Sequence, residues 1–294
     1  MPELPEVEVV TRGLAKFLPG KTIRDVWYDW DKSFPNAPAD VQKFLLGAKI
    51  VHVRRRAKVL IIELNTNYSL IVHLKMTGQL VYVSSQRRFG AGHPSDSLIG
   101  RLPDSSTRVI LDLGKGEAKL FFNDQRKFGW MRLVPTAEIP AIDFFKRLGP
   151  EPLATDFTYE TFAGRINKRP KSSIKAVLLD QTIIAGVGNI YADEALFAAR
   201  IHPATKVGAI APAALRRLFV ELIAVLKLSI EKGGSTDRNY VNAEGKKGSY
   251  TSFAKVFRRD GQPCPRCGTI LVKTRVAGRG THICPVCQPK PEEI

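Results

Sequence analysis

The sequence predicts an α+β protein in two parts with a small module at the end. Three observations carry this expectation. Strand-type runs fill the first half, helical periodicity takes over in the second, and all four cysteines lie near the C-terminus in two close pairs. The chain has 294 residues, 44% of them hydrophobic, which is enough for two domains with a real core.

Pro5 suits the first turn of a helix, and Glu6 and Glu8 complement its dipole. Val7, Val10, Leu14 and Phe17-Leu18 form its apolar face, and Pro19-Gly20 stops it. From about 22 to 134 strand-type runs dominate: Ile50–Val53, Val59–Leu64, Ser69–Leu74, Gln79–Val83, Arg108–Leu113 and Lys119–Phe122. Turn residues such as Asn65-Thr66-Asn67 and Gly114-Lys115-Gly116 join them, as in an antiparallel sandwich or barrel-like domain. Residues 84–106 are polar and rich in Gly, Ser and Pro, and read as a long flexible loop. Leu148–Leu153 reads as a linker. Beyond it, Ser172 or Ser173 caps a short helix carrying Ile174, Val177 and Leu178. A second helix runs from Asn189 to Arg200. A third, amphipathic one runs from Pro212 to Lys232 and ends at Gly233-Gly234.

The formal charge of +17 points to a polyanionic partner, most simply nucleic acid. Basic residues occur in short clusters (Arg54-Arg55-Arg56, Lys168-Arg169-Pro170-Lys171, Arg258-Arg259), so the fold must assemble the positive surface. No apolar run reaches membrane-spanning length, and the acidic start does not resemble a signal peptide. Nothing suggests disulfides or secretion.

Cys264-Pro-Arg-Cys267 is followed after sixteen residues by Cys284-Pro-Val-Cys287, the spacing of a structural zinc site. Four thiolates close a tetrahedron and leave no position for water, so one structural Zn²⁺ per chain is expected, and no organic cofactor. A module this small lacks a core without its metal. Arg279, flanked by Gly278 and Gly280, is placed to face phosphate.

Pro2 is the candidate nucleophile. A small residue after Met1 allows the methionine to be removed, leaving a free secondary amine whose pKa lies nearer neutrality than a lysine's. Glu3 stands beside it as a proton donor or acceptor.

These residues resemble the formamidopyrimidine-DNA glycosylase family, within the group that includes endonuclease VIII. The resemblance spans nearly the whole chain. It rests on Pro2–Glu8, Arg55-Arg56-Ala57-Lys58, His73–Gly78, Asp124–Gly129, Leu179-Asp180-Gln181, Gly186–Ala192 and Gly278-Arg279-Gly280-Thr281. Leu4 matches the oxidised-purine branch. The resemblance implies an N-terminal β-sandwich with its helix, a helix–two-turn–helix domain and a β-hairpin zinc finger. The corresponding expected bounds are 1–134, 154–254 (with a base-covering loop) and 255–294, with a linker at 135–153.

The resemblance further implies a bifunctional glycosylase and lyase of base excision repair acting on damaged double-stranded DNA. It is expected to be a monomer, away from membranes, in the cytoplasm of a bacterium on nucleoid DNA. Pro2, Glu3, Lys58 and Arg279 would be catalytic. His73, Met76, Arg126, Phe128, Lys171 and Asn189 would contact DNA, with Met76, Arg126 and Phe128 filling the gap left by an extruded base. Lys175 is a further candidate near Lys171. Asn189 opens a helix whose N-terminus favours phosphate. Ser235, Arg238 and Tyr240 would belong to a loop covering the extruded purine, and Glu6 would tie the first helix in place.

The chain departs from the family pattern in several places. Ser106-Thr107-Arg108 stands where relatives carry His-x-His, leaving Arg108 to supply charge. Val256-Phe257-Arg258-Arg259 replaces Val-Tyr-Gly-Arg, and Arg258 is a candidate to compensate for the lost tyrosine hydroxyl. Lys75 stands where glycine is common. Two rival readings remain: an oxidised-pyrimidine glycosylase on the same core, and a non-catalytic damage binder should Met1 be retained.

Overall fold

The computed structural model describes residues 2–93, 95–114, 118–234 and 252–290. Ser235, Arg238 and Tyr240 lie outside them. The chain forms two compact units, Met1–Lys146 with Ile230–Tyr250 and Arg147–Ser229 with Thr251–Ile294.

Among the described residues of the first unit, α1 (Leu4–Leu14) precedes nine antiparallel strands: β1 (Asp25–Tyr28), β2 (Ile50–Arg56), β3 (Val59–Leu64), β4 (Tyr68–His73), β5 (Gly78–Ser84), β6 (Arg88–Gly92), β7 (Thr107–Asp112), β8 (Ala118–Asp124) and β9 (Trp130–Pro135). A one-turn helix, α2 (Pro38–Asp40), lies between β1 and β2, and α3 (Asp143–Lys146) follows β9. The strands make two sheets, ordered β1-β7-β8-β5-β6 and β2-β3-β4-β9. The inward residues of both sheets alternate along each strand: Leu60 and Ile62, Leu70 and Val72, Leu80 and Tyr82, Leu120 and Phe122. They share one core with Val7, Val10 and Leu14 of α1. This is a sandwich rather than a closed barrel.

The helix stops earlier than its apolar pattern. Ala15 caps it, and Phe17 turns away to stack on Tyr82 with ring centroids 5.2 Å apart. Gly13 is required where α1 crosses β6, because a Cβ there would lie 1.9 Å from the Phe89 ring.

The described residues of the expected flexible loop at 84–106, which are 84–93 and 95–106, instead form built structure. Arg88–Gly92 pairs with β5 as an edge strand. Leu98 and Leu102 cover an apolar outer patch made by Val81 and Phe121. The Arg88 guanidinium donates to the carbonyls of Leu98, Ser97 and Gly100 at 2.9, 3.1 and 2.7 Å, holding the segment down. The strand is hard to see in sequence because Gly90, Ala91 and Gly92 carry no strand-type side chains.

The second unit contains α4 (Tyr159–Ile166), α5 (Ile174–Leu179), α6 (Asn189–Ala199) and α7 (Pro212–Glu231) as far as Ser229, then the hairpin β10 (Val272–Val276) and β11 (Arg279–Ile283). Thr158 and Ser173 cap α4 and α5 through their hydroxyls, which accept from Thr161 N at 3.3 Å and Ala176 N at 3.4 Å. Rings of Phe157, Phe162 and Phe219 pack together. The helix α6 is buried on nearly every side, Asp193 and Glu194 included. Within the expected linker 135–153, residues 136–141 form a 3₁₀ turn and α3 follows, so the break between units falls at 146/147.

Candidate active site and nucleic-acid interface

Pro2 and Glu3 are buried at the start of α1. Glu3 is the N-cap residue, and the Glu6 carboxylate accepts its backbone N–H at 2.8 Å, closing a capping box. Glu6 therefore fixes the backbone of the residue beside the candidate nucleophile. Gly234, in a positive-φ conformation, packs on Glu6: a Cβ there would sit 3.3 Å from the Glu6 Cγ.

Lys58 lies in the tight β2–β3 turn, which Ala57 enters with φ of 52°. A relay ties this turn to α1. The Arg55 guanidinium donates to Glu8 Oε2 at 2.9 Å and to the Ala57 carbonyl at 2.8 Å. Burial alone would raise the Glu8 pKa. Hydrogen bonds and charge from Arg55 and Arg12 outweigh it and hold the carboxyl below its usual range. Glu8 and Arg55 escaped the sequence reading as site-building residues, although Arg55 stands inside the Arg-Arg-Ala-Lys motif.

His73 ends β4 and is buried beside Trp130 and Phe144. Burial, then the charges of Lys75 and Lys58, lower its pKa to about 3. The imidazole is thus neutral near pH 7. Its Nδ1 accepts the Lys75 backbone N–H at 3.0 Å, which leaves the proton on Nε2 as a donor. A neutral donor suits a phosphate oxygen.

Met76 and Phe128 are 38% and 53% exposed, unusual for such apolar side chains. They sit on two adjacent loops, β4–β5 and β8–β9. The exposed Arg126 guanidinium stacks over the Phe128 ring at 4.9 Å. An open groove of about 620 Å³ runs alongside, lined by Lys32, Lys75, Lys127 and Arg132 with Met76 and Phe128. Lys75 has φ of 50°, in the left-handed region that favours glycine. A lysine in this conformation costs about 1 kcal/mol.

Arg108 does not supply an open charge. Its side chain is buried and paired with Asp29, and its guanidinium also donates to the Asp124 carbonyl at 2.9 Å and to the Ser105 carbonyl. Ser106 is likewise buried, donating to Asp104 at 2.7 Å.

In the second unit Lys171 is exposed just before α5. Lys175 is not an open phosphate contact. It is fully buried, its ammonium bonded to Asp193 Oδ1 at 2.6 Å, Thr281 Oγ1 at 2.7 Å and the Gly280 carbonyl at 3.2 Å. The other Asp193 oxygen accepts from the His282 N–H at 3.0 Å. Glu194 accepts from the backbone N–H groups of Lys255, Val256 and Phe257 at 2.8 to 2.9 Å. Two acids on one buried helix thus hold the cysteine module. The signal was Asp193-Glu194 inside an otherwise apolar helix. Phe257 packs edge-on against His282, and the Arg258 guanidinium lies 5.5 Å above the Phe257 ring.

Asn189 opens α6 behind Gly188, which caps it without a side chain, so the helix start presents backbone donors. The Asn189 side-chain amide donates to the Gly280 carbonyl at 3.0 Å, locking the hairpin beside it. Ala277 and Gly278 form the turn with φ of 51° and 71°. Arg279 is the exposed first residue of β11.

Cys264, Cys267, Cys284 and Cys287 bring their sulfurs within 4.8 Å of one another. Individual separations are 3.5 Å for Cys267–Cys284 and 3.9 Å for Cys264–Cys287. A zinc tetrathiolate with Zn–S near 2.3 Å has edges of about 3.8 Å, so the four residues fit one ion and are too far apart for disulfides. Phe197, Val256 and Leu271 pack around the site.

A two-sheet sandwich opened by a buried Pro-Glu pair, a glycine-led helix start and a tetracysteine hairpin define the class of zinc-finger DNA glycosylases. Residues 1–131 match the formamidopyrimidine-DNA glycosylase N-terminal domain, 148–240 its H2TH domain, and 261–290 the zinc finger found in FPG and IleRS. Formamidopyrimidine-DNA glycosylase of Pelotomaculum thermopropionicum is 40% identical over 98% of this chain and 99% of that protein. The Herpetosiphon aurantiacus protein of the same name is 42% identical over 98% of this chain and 100% of its own length. Among solved structures, a variant Lactococcus lactis FPG bound to Fapy-dG-containing DNA superposes with a TM-score of 0.86, at 34% identity, covering 98% of this chain and 100% of that one. A MutM complex with carbocyclic 8-oxo-G-containing DNA gives 0.84 at 33% identity, with 98% and 100% covered. The chain belongs to the formamidopyrimidine-DNA glycosylase family, whose members are DNA glycosylases and AP lyases. No helix among the described residues is long and apolar enough to cross a membrane.

Proposed function

We propose that this chain excises oxidised purines, 8-oxoguanine and ring-opened formamidopyrimidines, from double-stranded DNA and then cuts the strand. Removal of Met1 frees the Pro2 nitrogen. That amine attacks C1′ of the damaged nucleotide while Glu3 moves protons at the sugar, and the base departs. The resulting iminium acidifies the C2′ hydrogen, and β-elimination expels the 3′ phosphate. A second elimination releases the 5′ phosphate. Lys58 serves the first steps at the sugar and phosphate, and Arg279 the second elimination. His73, Lys171, Asn189 and Arg279 hold phosphates, while Met76, Arg126 and Phe128 occupy the vacated stack.

The observation that carries this reading is the local construction around the terminus. Glu6 fixes Glu3, and the Glu8–Arg55–Ala57 relay ties the Lys58 turn to the same helix. The zinc of the cysteine hairpin has a structural part only. It stiffens the module that presents Arg279, and no chemical step passes through it.

In this scheme residues 1–134 carry Pro2, Glu3 and Lys58, while 154–254 and 255–294 grip DNA, the last also supplying Arg279 to the second elimination. The protein acts as a monomer on nucleoid DNA in a bacterial cytoplasm. Borohydride trapping on an 8-oxoguanine duplex, with analysis of the cut ends, tests the scheme. An uncut, untrapped duplex would refute it.

One observation favours a second reading. A structure of the Lactococcus lactis FPG holds oxidised-pyrimidine-containing DNA and resembles this chain with a TM-score of 0.84 at 32% identity. Excision of oxidised pyrimidines in the same assay at a rate matching 8-oxoguanine would support that breadth. A retained Met1, seen by intact mass, would leave only a damage binder.

A further inference from the structure

Met76 and Phe128 stand on separate loops, yet one buried carboxylate organises both. Asp124, the last residue of β8, is fully buried and pairs in register with Gly78 at the start of β5. Its Oδ2 accepts the backbone N–H groups of Phe128 at 2.8 Å and Gly129 at 2.6 Å. Its Oδ1 accepts the Arg126 N–H at 3.2 Å and the Thr77 hydroxyl. Thr77 Oγ1 in turn lies 3.1 Å from the same Arg126 N–H. The backbone of Asp124 is itself pinned: its N–H donates to the Ser106 carbonyl at 2.7 Å, and its carbonyl accepts from Arg108.

The β8–β9 loop cannot readily hold this shape alone. Lys127 sits at φ of 57°. Gly129 is so close to its surroundings that a Cβ would meet the Phe122 ring at 2.6 Å and the His73 carbonyl at 3.0 Å. A buried carboxylate accepting several N–H bonds is among the stronger local braces available to a loop. Its contact to Thr77 crosses to the loop that carries Met76.

We propose that Thr77 and Asp124 are positioning residues that join the two loops into one preorganised wedge, so that Met76 and Phe128 enter the base stack as a unit. This rests on the reading of Met76, Arg126 and Phe128 as insertion residues. A wedge already ordered before contact spares the ordering entropy that two independent loops would lose on insertion. Damage discrimination then depends on the bond between the loops as well as on the inserted side chains.

The test is a mutant cycle on DNA binding. The probes are a duplex with a tetrahydrofuran abasic analogue and the same duplex undamaged, and the quantity is the ratio of the two affinities. Met76→Ala, Phe128→Ala and their combination are measured with Thr77 present, with Thr77→Val and with Thr77→Ser. With Thr77 or Thr77→Ser, the combined loss should fall at least about threefold short of the product of the single losses, since removing either side disables a shared wedge. With Thr77→Val the losses should multiply. Should Thr77→Val fail to fold, Thr77→Ala is read in its place. Independent losses already present with Thr77, coupling that survives loss of the hydroxyl, or coupling not restored by serine would each overturn the proposal. Borohydride trapping of the unaltered protein on an 8-oxoguanine duplex is run alongside. Its failure refutes the glycosylase reading while leaving the loop coupling measurable, and coupling that fails in a trapping-competent protein refutes the wedge alone.

Discussion

The ammonium of Lys175 meets the carboxylate of Asp193 at 2.6 Å with neither side chain exposed to solvent. The pair joins α5, α6 and the zinc hairpin, because Lys175 also bonds Gly280 and Thr281, and the Gly280 carbonyl also accepts from Asn189. Removing one partner leaves a buried charge without compensation. Asp193→Ala should therefore destabilise the second unit by about 3–5 kcal/mol. Replacing both partners together, Lys175→Met with Asp193→Leu, should cost much less. Denaturant unfolding followed by the signal of the second unit measures both. A near-neutral Asp193→Ala would show that the pair does not hold the hairpin.

Zinc should be present at one ion per chain and should act through position. Chelation at neutral pH should unfold the hairpin that presents Arg279, weakening binding to damaged and undamaged duplexes alike. Metal analysis together with circular dichroism before and after chelation checks this. Active protein lacking zinc would contradict it.

His73 should not titrate in the range normal for histidine. Burial first, and the Lys75 and Lys58 charges after it, lower its folded pKa to about 3 from the 6.5 ordinary for histidine. Between those values the unfolded chain takes up a proton that the folded chain does not. This single group therefore erodes stability by about 1.4 kcal/mol for each pH unit of descent through that window. Nitrogen-detected NMR of the free protein should show a constant Nε2–H tautomer from pH 8 to 5. A midpoint near 6.5 would sink the assignment.

Phosphate grip and stack insertion should separate by salt. Arg279→Ala should reduce the slope of log K against log salt by about one and weaken all duplexes similarly. Phe128→Ala removes an exposed ring and no charge, so its slope should stay constant while preference for the damaged duplex falls. Equal loss of slope in the two variants would show that the division is mistaken.

Much of this was legible in the chain because local chemistry and fold agree. The tetracysteine spacing, the capped start of α5 at Ser173 and the glycine-led start of α6 each announce themselves in a few consecutive residues. The edge strand β6 did not, because glycines and alanine replace the usual strand residues and only pairing with β5 makes it a strand. Lys175 and Arg108 were misplaced for a related reason. A basic residue in a basic protein reads as a surface contact, and only long-range partners, Asp193 and Asp29, reveal that each is buried. Asp124 stands inside the Asp124–Gly129 motif, and its bond to Thr77 comes from a residue distant in sequence, so no local pattern marks it.

The proposed chemistry begins at the nitrogen of Pro2, next to the Glu3–Glu6 capping box. The most direct measurement is borohydride trapping on an 8-oxoguanine duplex, followed by proteolysis and mass mapping of the adduct. The expected product is a chain lacking Met1 with the sugar attached at Pro2. An adduct on Lys58, or trapping by a chain that retains Met1, would contradict it.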